Sequence, residues 1–317
     1  GSATVLWRSR AWYAALARSG HVVTNIELES WFRRRPGQQV LQTFHGYPSK
    51  AMGIGLWRSK RFTESRIEQQ LDRTSRNWSL LLTPMPEMDV HYRENYRYDG
   101  PILAAGYPRD DVLVAPGTED RRTAARARLG IGPTTTAVLY APTWRDDQAV
   151  DFRAARMVDH LDVAATAEAL GPDHVLLLRG HRFMASAASA RASRVLDVTT
   201  YPEVNDLILA ADVAVLDYTS MRFDFALTGR PMVFLVPDLD DYATTKRGFL
   251  YDFRPTAPGP LLSTSAEVID ALRDLEGVRA RHREEYEQFN ATYNRCQDGA
   301  AAERTIERFL GQSSHAE

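Results

Sequence analysis

Residues 213–224 read VAVLDYTSMRFD, and this stretch decides the fold. Its four apolar residues predict a buried strand, and the two hydroxyl residues that follow, Thr219 and Ser220, are typical of a helix start. A buried strand that leads directly into a helix is the unit from which parallel α/β sheets are built. The unpaired N–H groups of such a helix start attract phosphate. Asp224 falls about one turn into the helix, where its carboxylate can reach a ribose diol.

The same alternation of apolar runs and helical patterns extends along the chain in both directions. It predicts strands at 39–43, 79–82, 102–105, 137–140, 175–178, 194–197 and 232–236. It predicts helices at about 7–19, 57–76, 155–170, 203–210, 219–228, 278–290 and 300–310. The Pro116-Gly117-Thr118 stretch is typical of a linker. We therefore expect an α/β protein with two Rossmann-type doubly wound domains that face a cleft.

The predicted domains are residues 1–115 and residues 116–317. The first series begins with a helix and supplies only about three strands, which is few for a doubly wound domain. We therefore expect the N-terminal domain to be incomplete. Closing C-terminal helices are predicted to follow the last strand of the second domain.

Composition excludes several classes of protein. The 317 residues carry a net charge of −2, which argues against a generally basic nucleic-acid binder. Cys296 is the single cysteine, so a disulfide framework and a cysteine metal cluster are both excluded. No apolar run approaches the roughly 18 residues that span a bilayer. Glycine-rich NAD and P-loop fingerprints are absent, and the acidic residues do not form a DxD pair for a metal.

A second motif, TFHGYPSK, occupies residues 43–50. His45 follows a predicted strand, and the glycine and proline around it predict a tight turn. A histidine held in this way is suited to act as a general base, because its pKa lies near neutral pH. Lys50 is suited to face a phosphate. An ordinary loop histidine that makes structural hydrogen bonds remains the alternative interpretation.

Four further motifs place cations after strands. LLLRGHR at 176–182 supplies Arg179 and His181, which are suited to stabilise a phosphoryl group. YAPTWRD at 140–146 supplies Thr143 and Arg145. Arg247 lies in KRGF at 246–249, and GYPRD at 106–110 contains Arg109. Taken one by one, each of these groups is also compatible with a solvated loop.

In this order, the motifs resemble those of the CDP-glycerol glycerophosphotransferase family, the wall teichoic acid polymerases. The family pattern runs WHGTPxK, GYPRND, YAPTWR, a strand-end histidine, TDYSSxxFD, RPxxF and RGFY. The corresponding stretches here are FHGYPSK at 44–50, GYPRDD at 106–111, YAPTWR at 140–145, His181, LDYTSMRFD at 216–224, RPMVF at 230–234 and RGFL at 247–250. Tyr47 and Leu250 depart from the pattern, and both bear on the polyol or the acceptor that is accepted.

The resemblance implies a GT-B-like fold and a transfer that needs no metal and no cofactor. A polyol phosphate, glycerol phosphate or a similar unit, would pass from a CDP-activated donor to a hydroxyl of a teichoic-acid-like cell-surface polymer, with release of CMP. The implied catalytic residues are His45 and His181. The implied donor-binding residues are Thr143, Arg145, Arg179, Thr219, Ser220, Asp224 and Arg247. Lys50 and Arg109 are expected on the acceptor side, which belongs to the first domain.

The expected partners are the CDP-polyol donor and an anionic polyol-phosphate or lipid-linked acceptor, without nucleic acid. A cytoplasmic location is expected, and a peripheral position at the inner face of the cell membrane stays open. Two alternatives also stay open. One is a GT-B glycosyltransferase that uses a nucleotide sugar on a cell-wall acceptor, and the other is a non-catalytic module that binds the polymer.

Overall fold

The structure is a computed structural model that describes residues 3–143, 149–151, 154–155, 160–180, 194–246 and 248–311. The chain divides into two compact units, each with its own parallel sheet. The first unit comprises Gly1–Tyr47, Met52–Pro108 and Ala300–Glu317. The second comprises Pro48–Ala51 and Arg109–Gly299. The chain therefore passes between the two units four times.

The helices and strands of the described residues are numbered in chain order. The helices are α1 (Arg10–Arg18), α2 (Gly53–Ser59), α3 (Glu64–Arg73), α4 (Asp89–Tyr96), α5 (Asp111–Val114), α6 (Thr118–Arg128), α7 (Val163–Leu170), α8 (Val204–Ala210), α9 (Met221–Ala226), α10 (Leu239–Asp241), α11 (Ser265–Arg273), α12 (Leu275–Arg281), α13 (Arg283–Tyr293) and α14 (Ala301–Leu310). The strands are β1 (His21–Thr24), β2 (Gln39–Gln42), β3 (Leu80–Thr83), β4 (Ile102–Ala104), β5 (Thr136–Ala141), β6 (Ala149–Asp151), β7 (Ala154–Ala155), β8 (His174–Leu178), β9 (Val195–Asp197), β10 (Val213–Leu216), β11 (Met232–Leu235) and β12 (Leu261–Leu262).

The first unit contains a parallel sheet whose strands follow the chain order β1-β2-β3-β4. Every residue of β3 is buried, which is the pattern of a strand covered on both faces. In β1, exposed and buried residues alternate, as expected for a strand at the edge of a sheet. The sequence pattern does not predict β1, because four residues with only two buried positions do not form an apolar run.

The second unit contains a six-stranded parallel sheet with the order β12-β11-β10-β5-β8-β9. The chain starts in the middle at β5, runs outward through β8 and β9, and then returns to add β10, β11 and β12 on the other flank. This is the strand order of a doubly wound dinucleotide-binding fold. The predicted α/β class with two parallel sheets is confirmed.

The core of the second unit is made by its central strands. Val138, Leu176, Val213, Val215 and Val233 are fully buried in one hydrophobic cluster. Each such side chain contributes about 1.5–3 kcal/mol through burial. Because these strands are apolar without interruption, they were the easiest elements to recognise in the sequence.

Several predicted helices have different bounds in the structure. The basic helix predicted at 57–76 is two helices, because Arg61 adopts a left-handed φ of 58° and Thr63 then caps α3. The helix predicted at 155–170 begins only at Val163, where the carboxylate of Asp162 caps α7. The helix predicted at 278–290 is interrupted at His282, between α12 and α13.

Candidate active site

The order of the second sheet reverses between β5 and β10, and this reversal places two predicted motifs side by side. Tyr140 pairs with Val215 and Ala141 with Leu216, so the two strands end at the same edge of the sheet. In open α/β sheets, ligands bind at this switch point, beyond the carboxyl ends of the strands. Thr143 follows β5 there, and Thr219 and Ser220 follow β10.

Asp217 joins the two strand ends. Its side chain is buried, and one carboxylate oxygen accepts a hydrogen bond from the backbone N–H of Thr143 at 2.8 Å. The other oxygen accepts from the Thr143 hydroxyl and, at 3.2 Å, from the backbone N–H of Thr219. A buried carboxylate is stable only when donors of this kind surround it. Asp217 has no role among the predictions from sequence, although an acid that directly follows a buried strand is a usable signal.

Tyr218 fixes the next position of the loop. Its hydroxyl donates to Asp238 Oδ1 at 2.7 Å, and its ring stacks on Tyr242 with centroids 4.1 Å apart. Thr219 Oγ1 then accepts from the backbone N–H of Met221 at 3.2 Å. Ser220 precedes α9 and makes no capping bond with its side chain. Two half-buried hydroxyl groups therefore stand at the end of β10 on a backbone held by buried contacts.

Asp224 lies on α9 and is almost fully buried. Its Oδ1 accepts a hydrogen bond from Arg109 Nη2 at 2.7 Å, and Arg109 Nε donates to Asp110 Oδ1 at 3.2 Å. Arg109 was predicted on the acceptor side and Asp224 on the donor side, and the structure brings the two into contact in the second unit. Burial, followed by the charge of Asp224, raises the pKa of Asp110 to about 8.

His45 belongs to the first unit, three residues beyond the end of β2. Its side chain is exposed, and Nδ1 lies 3.3 Å from the backbone oxygen of Asn25. A bond from Nδ1–H to that carbonyl selects the tautomer with a lone pair on Nε2, which is the form that accepts a proton. This arrangement is compatible with the predicted role of His45 as a base.

Phe44, the residue before His45, has an unusual backbone conformation. Its φ of 53° is in the left-handed region, which costs a non-glycine residue about 1–3 kcal/mol. The ring packs against Trp78, Tyr92 and Tyr96 with centroids 5.0–5.6 Å away, and this packing offsets the strain. The Phe44 N–H also donates to Gln42 Oε1 at 2.8 Å.

The two glycine-containing motifs of the first unit contact each other. The Tyr107 hydroxyl donates to the Gly46 carbonyl at 3.1 Å, and the Tyr47 and Tyr107 rings meet edge to face at 5.3 Å. Tyr47 is one of the two departures from the family pattern, and here it is buried packing for the loop that carries His45.

Lys50 lies in the short segment Pro48–Ala51, which belongs to the second unit. It pairs with Phe249 in an antiparallel bridge, and its Nζ lies 5.9 Å from the centre of the Tyr242 ring. Backbone bonds from Leu250 to Ser49 and from Ala51 to Gly248 extend this pairing. Residues of the HGYPSK and RGFL motifs are therefore in direct contact, and the acceptor-side role of Lys50 stays a prediction.

Arg179 follows β8, and its guanidinium is used to hold a loop. Nη1 donates to the carbonyls of Val198 at 2.7 Å and Tyr201 at 2.6 Å, and burial lowers the pKa of the group. Its role toward a donor stays a prediction. His181, Arg145 and Arg247, the other predicted residues of this group, lie outside the described residues.

The described residues include neither a metal-ligand cluster nor a membrane-spanning helix. Within the described ranges, no group of three or more His, Cys, Asp or Glu side chains is placed to hold a metal ion. No helix in the part of the chain that the structure describes has the length and apolar character required to cross a bilayer.

A doubly wound sheet with hydroxyl groups and carboxylates at its switch point defines a nucleotide-binding α/β protein. The chain belongs to the CDP-glycerol:poly(glycerophosphate) glycerophosphotransferase family, whose model matches residues 1–311. The predicted family is thereby confirmed, and with it the class of enzyme, a glycerophosphotransferase.

Three relatives and a solved structure illustrate the similarity. The chain is 30% identical over 300 residues to the teichoic acid glycerol-phosphate transferase of Staphylococcus aureus, covering 93% of this chain and 77% of that protein. It is 28% identical over 307 residues to the teichoic acid poly(glycerol phosphate) polymerase of Bacillus subtilis, covering 94% of this chain but only 40% of that protein. It is also 27% identical over 274 residues to a teichoic acid poly(ribitol-phosphate) polymerase of Bacillus spizizenii, covering 81% of this chain and 43% of that protein.

The solved structure is the wall teichoic acid polymerase TagF, which superposes with a TM-score of 0.87 at 26% identity. The match covers 100% of this chain and 79% of that one. Another TagF structure, a variant soaked with CDPG, gives the same TM-score. This likeness agrees with the predicted GT-B-like class.

Proposed function

We propose that the protein transfers glycerol phosphate from CDP-glycerol to a hydroxyl of a teichoic-acid-like polymer and releases CMP. The observation that carries this proposal is the cluster at the switch point, where Asp217 holds Thr143 and Thr219 beyond the ends of β5 and β10. A nucleotide donor fits this position in a doubly wound sheet. Family membership supplies the identity of the donor and of the transferred group.

The donor is proposed to lie along the loop after β10. The hydroxyls of Thr219 and Ser220, with that of Thr143, would donate hydrogen bonds to the diphosphate. The carboxylate of Asp224 would accept hydrogen bonds from the ribose. Arg145, Arg179, Arg247 and His181 complete the donor site as the family resemblance implies, and their charge would stabilise the phosphates.

In the proposed reaction, a hydroxyl oxygen of the acceptor attacks the β-phosphorus of the donor. His45 takes the hydroxyl proton as the new oxygen–phosphorus bond forms. The bond from the β-phosphorus to the bridging oxygen breaks, and CMP leaves with its electron pair. Such transfers depend on positioning and electrostatics, to which Lys50 would contribute on the acceptor side. Arg109, which was also expected on that side, contacts Asp224 instead.

A donor screen tests this function. The purified protein would receive an acceptor polymer and, in turn, CDP-glycerol, CDP-ribitol or a UDP-sugar, and the nucleotide product would be identified. We expect CMP from CDP-glycerol. UDP released from the sugar donor, without CMP, would instead identify a glycosyltransferase. Polymer binding without any nucleotide release would identify a binding module.

Ribitol phosphate is the second candidate for the transferred group. The similarity to a poly(ribitol-phosphate) polymerase supports this candidate, since that relative shares 27% identity with this chain. Tyr47 and Leu250, the two departures from the family motifs, are the residues through which polyol choice would differ. CMP released faster from CDP-ribitol than from CDP-glycerol would favour this candidate.

A membrane surface is proposed as a further partner, because the acceptor is expected to be anionic or lipid-linked. In the first unit α1 has no buried residue, and Leu6, Trp7 and Trp31 are 80%, 61% and 48% exposed. Exposed aromatic residues with nearby cations, among them Arg8, are typical of the membrane interface. Equal co-sedimentation with neutral and anionic vesicles would contradict an electrostatic attraction to the membrane.

A further inference from the structure

Asp110 is a carboxyl group that the proposed reaction leaves without a role. It ends the Pro108–Asp110 turn in the second unit, and its side chain is fully buried. Its two charged neighbours are Arg109, which donates to Oδ1 at 3.2 Å, and Asp224 on α9. The same Arg109 guanidinium donates to Asp224 Oδ1 at 2.7 Å, so one cation serves two carboxyl groups.

The surroundings of the second carboxyl oxygen of Asp110 indicate whether this group carries a proton. Oδ2 is buried, and no hydrogen-bond donor reaches it from the described residues. A buried carboxylate oxygen without a donor is strongly unfavourable. Besides Arg109, the group that acts on Asp110 is the carboxyl group of Asp224. An ionised carboxylate accepts hydrogen bonds and cannot donate them. A proton on Oδ2 removes this conflict, because the group then becomes a donor.

The backbone around Asp110 is fixed independently of its charge. Asn205 on α8 donates to the Arg109 carbonyl at 2.5 Å. Asp111, the adjacent acid, accepts from Gln297 Nε2 at 2.8 Å. Asp111 therefore has a partner of its own, and Asp224 is the acid that acts on Asp110.

We propose that Asp110 is a neutral carboxylic acid that donates its proton to Asp224 and, together with Arg109, holds the Asp224 carboxylate in one orientation for the donor. Asp110 and Arg109 are in this view positioning residues. The inference rests on the proposed role of Asp224 in donor binding. It also explains why Asp110, although adjacent to the site, is unsuited to act as a base, since it already carries a proton.

The direction of the electrostatic effects agrees with this assignment. Burial and the charge of Asp224 raise the pKa of Asp110 to about 8, and Arg109 offsets only part of that rise. Below this pH the acid is neutral and holds Asp224, and above it the two carboxylates repel each other. Donor binding should therefore weaken as the pH rises through about 8.

The protonation state can be tested without any ligand. The carboxyl carbons of aspartate would be followed by ¹³C NMR during a pH titration of the wild type, Asp110→Asn and the control Asp111→Asn. We expect one carboxyl resonance that titrates near pH 8 in the wild type and in Asp111→Asn, and that is missing from Asp110→Asn. If every aspartate of the wild type titrates below about pH 5, the proton is not there and the proposal is wrong.

The positioning role is tested by calorimetry with CDP-glycerol at about pH 6.5 and about pH 9.5. Asparagine also donates from this position, so Asp110→Asn should stay within about threefold of the wild-type affinity at the lower pH and lose most of the pH dependence. Asp110→Leu removes the donor and should bind about tenfold more weakly. Equal weakening of both variants, or wild-type binding by Asp110→Leu, would overturn the role.

Asp224→Asn separates this inference from the proposed function. If that variant binds CDP-glycerol as tightly as the wild type, Asp224 is not a donor residue, and the proposed donor site fails even when the titration near pH 8 is present. If Asp224→Asn binds CDP-glycerol weakly but the wild type shows no carboxyl titration near pH 8, the proposed donor site is supported and the shared proton is rejected. If Asp110→Leu does not fold, the NMR titration and the pH dependence of CDP-glycerol binding by Asp110→Asn still test the proposal.

Discussion

At the carboxyl end of β10 the chain is held by buried polar bonds, whereas at the carboxyl end of β2 it is held mainly by packed rings. Asp217 and Tyr218 are both buried, and each makes hydrogen bonds to other segments. His45 is exposed and sits next to a strained Phe44 whose ring is packed among other aromatic side chains. The first arrangement fixes dipoles in place before a ligand arrives, which is what the stabilisation of phosphate charge requires.

This difference separates what substitutions at the two ends should do. At the end of β10, binding and stability share the same hydrogen bonds, so both should change together. At the end of β2, an exposed imidazole contributes little to the fold, so turnover should change alone.

The largest effect is expected for His45→Ala. Loss of a general base should lower kcat by about 10²–10⁴-fold, with little change in the affinity for CDP-glycerol or in the melting temperature. Single-turnover CMP release and calorimetry would measure the two quantities. His91→Ala on α4 is the matched control, since that histidine has no proposed role in the reaction. Full turnover by His45→Ala would mean that another residue is the base.

An intermediate effect is expected for Asp217→Asn. The amide cannot accept all the bonds that the carboxylate accepts from Thr143 and Thr219, so we expect a loss of about 2 kcal/mol in the free energy of unfolding and about tenfold in donor affinity. Urea denaturation and calorimetry measure these changes. Asp197→Asn is the control, since Asp197 is an exposed acid at the end of β9 that accepts from the Thr199 N–H. A change in only one of the two quantities would break the proposed link between binding and stability.

The smallest effect is expected for Ser220→Ala. The Ser220 hydroxyl makes no capping bond to α9, so the free energy of unfolding should stay the same. Loss of one hydrogen bond to the diphosphate should weaken CDP-glycerol binding by about fivefold, equivalent to about 1 kcal/mol. Ser59→Ala on α2, whose hydroxyl donates to the Leu56 carbonyl, is the control. Unchanged affinity would place the diphosphate away from this hydroxyl.

The sequence alone predicts those helices and strands whose apolar pattern or capping residues lie within the element itself. The buried parts of β5, β10 and β11 are continuous apolar runs, and the box formed by Thr264 and Glu267 caps the start of α11. The two-residue strand β12 carries too short a pattern to recognise. The helix breaks at Arg61 and His282 depend on backbone conformation, which no periodic pattern reveals.

The candidate site was predictable in its motifs but not in its contacts. Thr143 and Thr219 could be singled out because they follow buried strands, and Asp224 because it falls one turn into the next helix. That Arg109 reaches Asp224 across 115 positions of the chain depends on how distant segments pack. The state of Asp110 follows from complete burial against a second acid, and nothing in the local sequence distinguishes it from the exposed aspartates.

The place of α14 in the first unit has a consequence for the order in which the protein is made. Arg304 donates to the Ala105 carbonyl at 2.8 Å, and Phe309 packs edge-on against His21, so α14 completes a unit whose strands lie near the beginning of the chain. On the ribosome those strands emerge roughly 200 residues before α14, which is a delay of about 10–40 s at ordinary rates of synthesis. Most of the second unit emerges during that interval, and Gln297, which contacts Asp111, emerges just before α14. The first unit, although begun earliest, is the last to be completed.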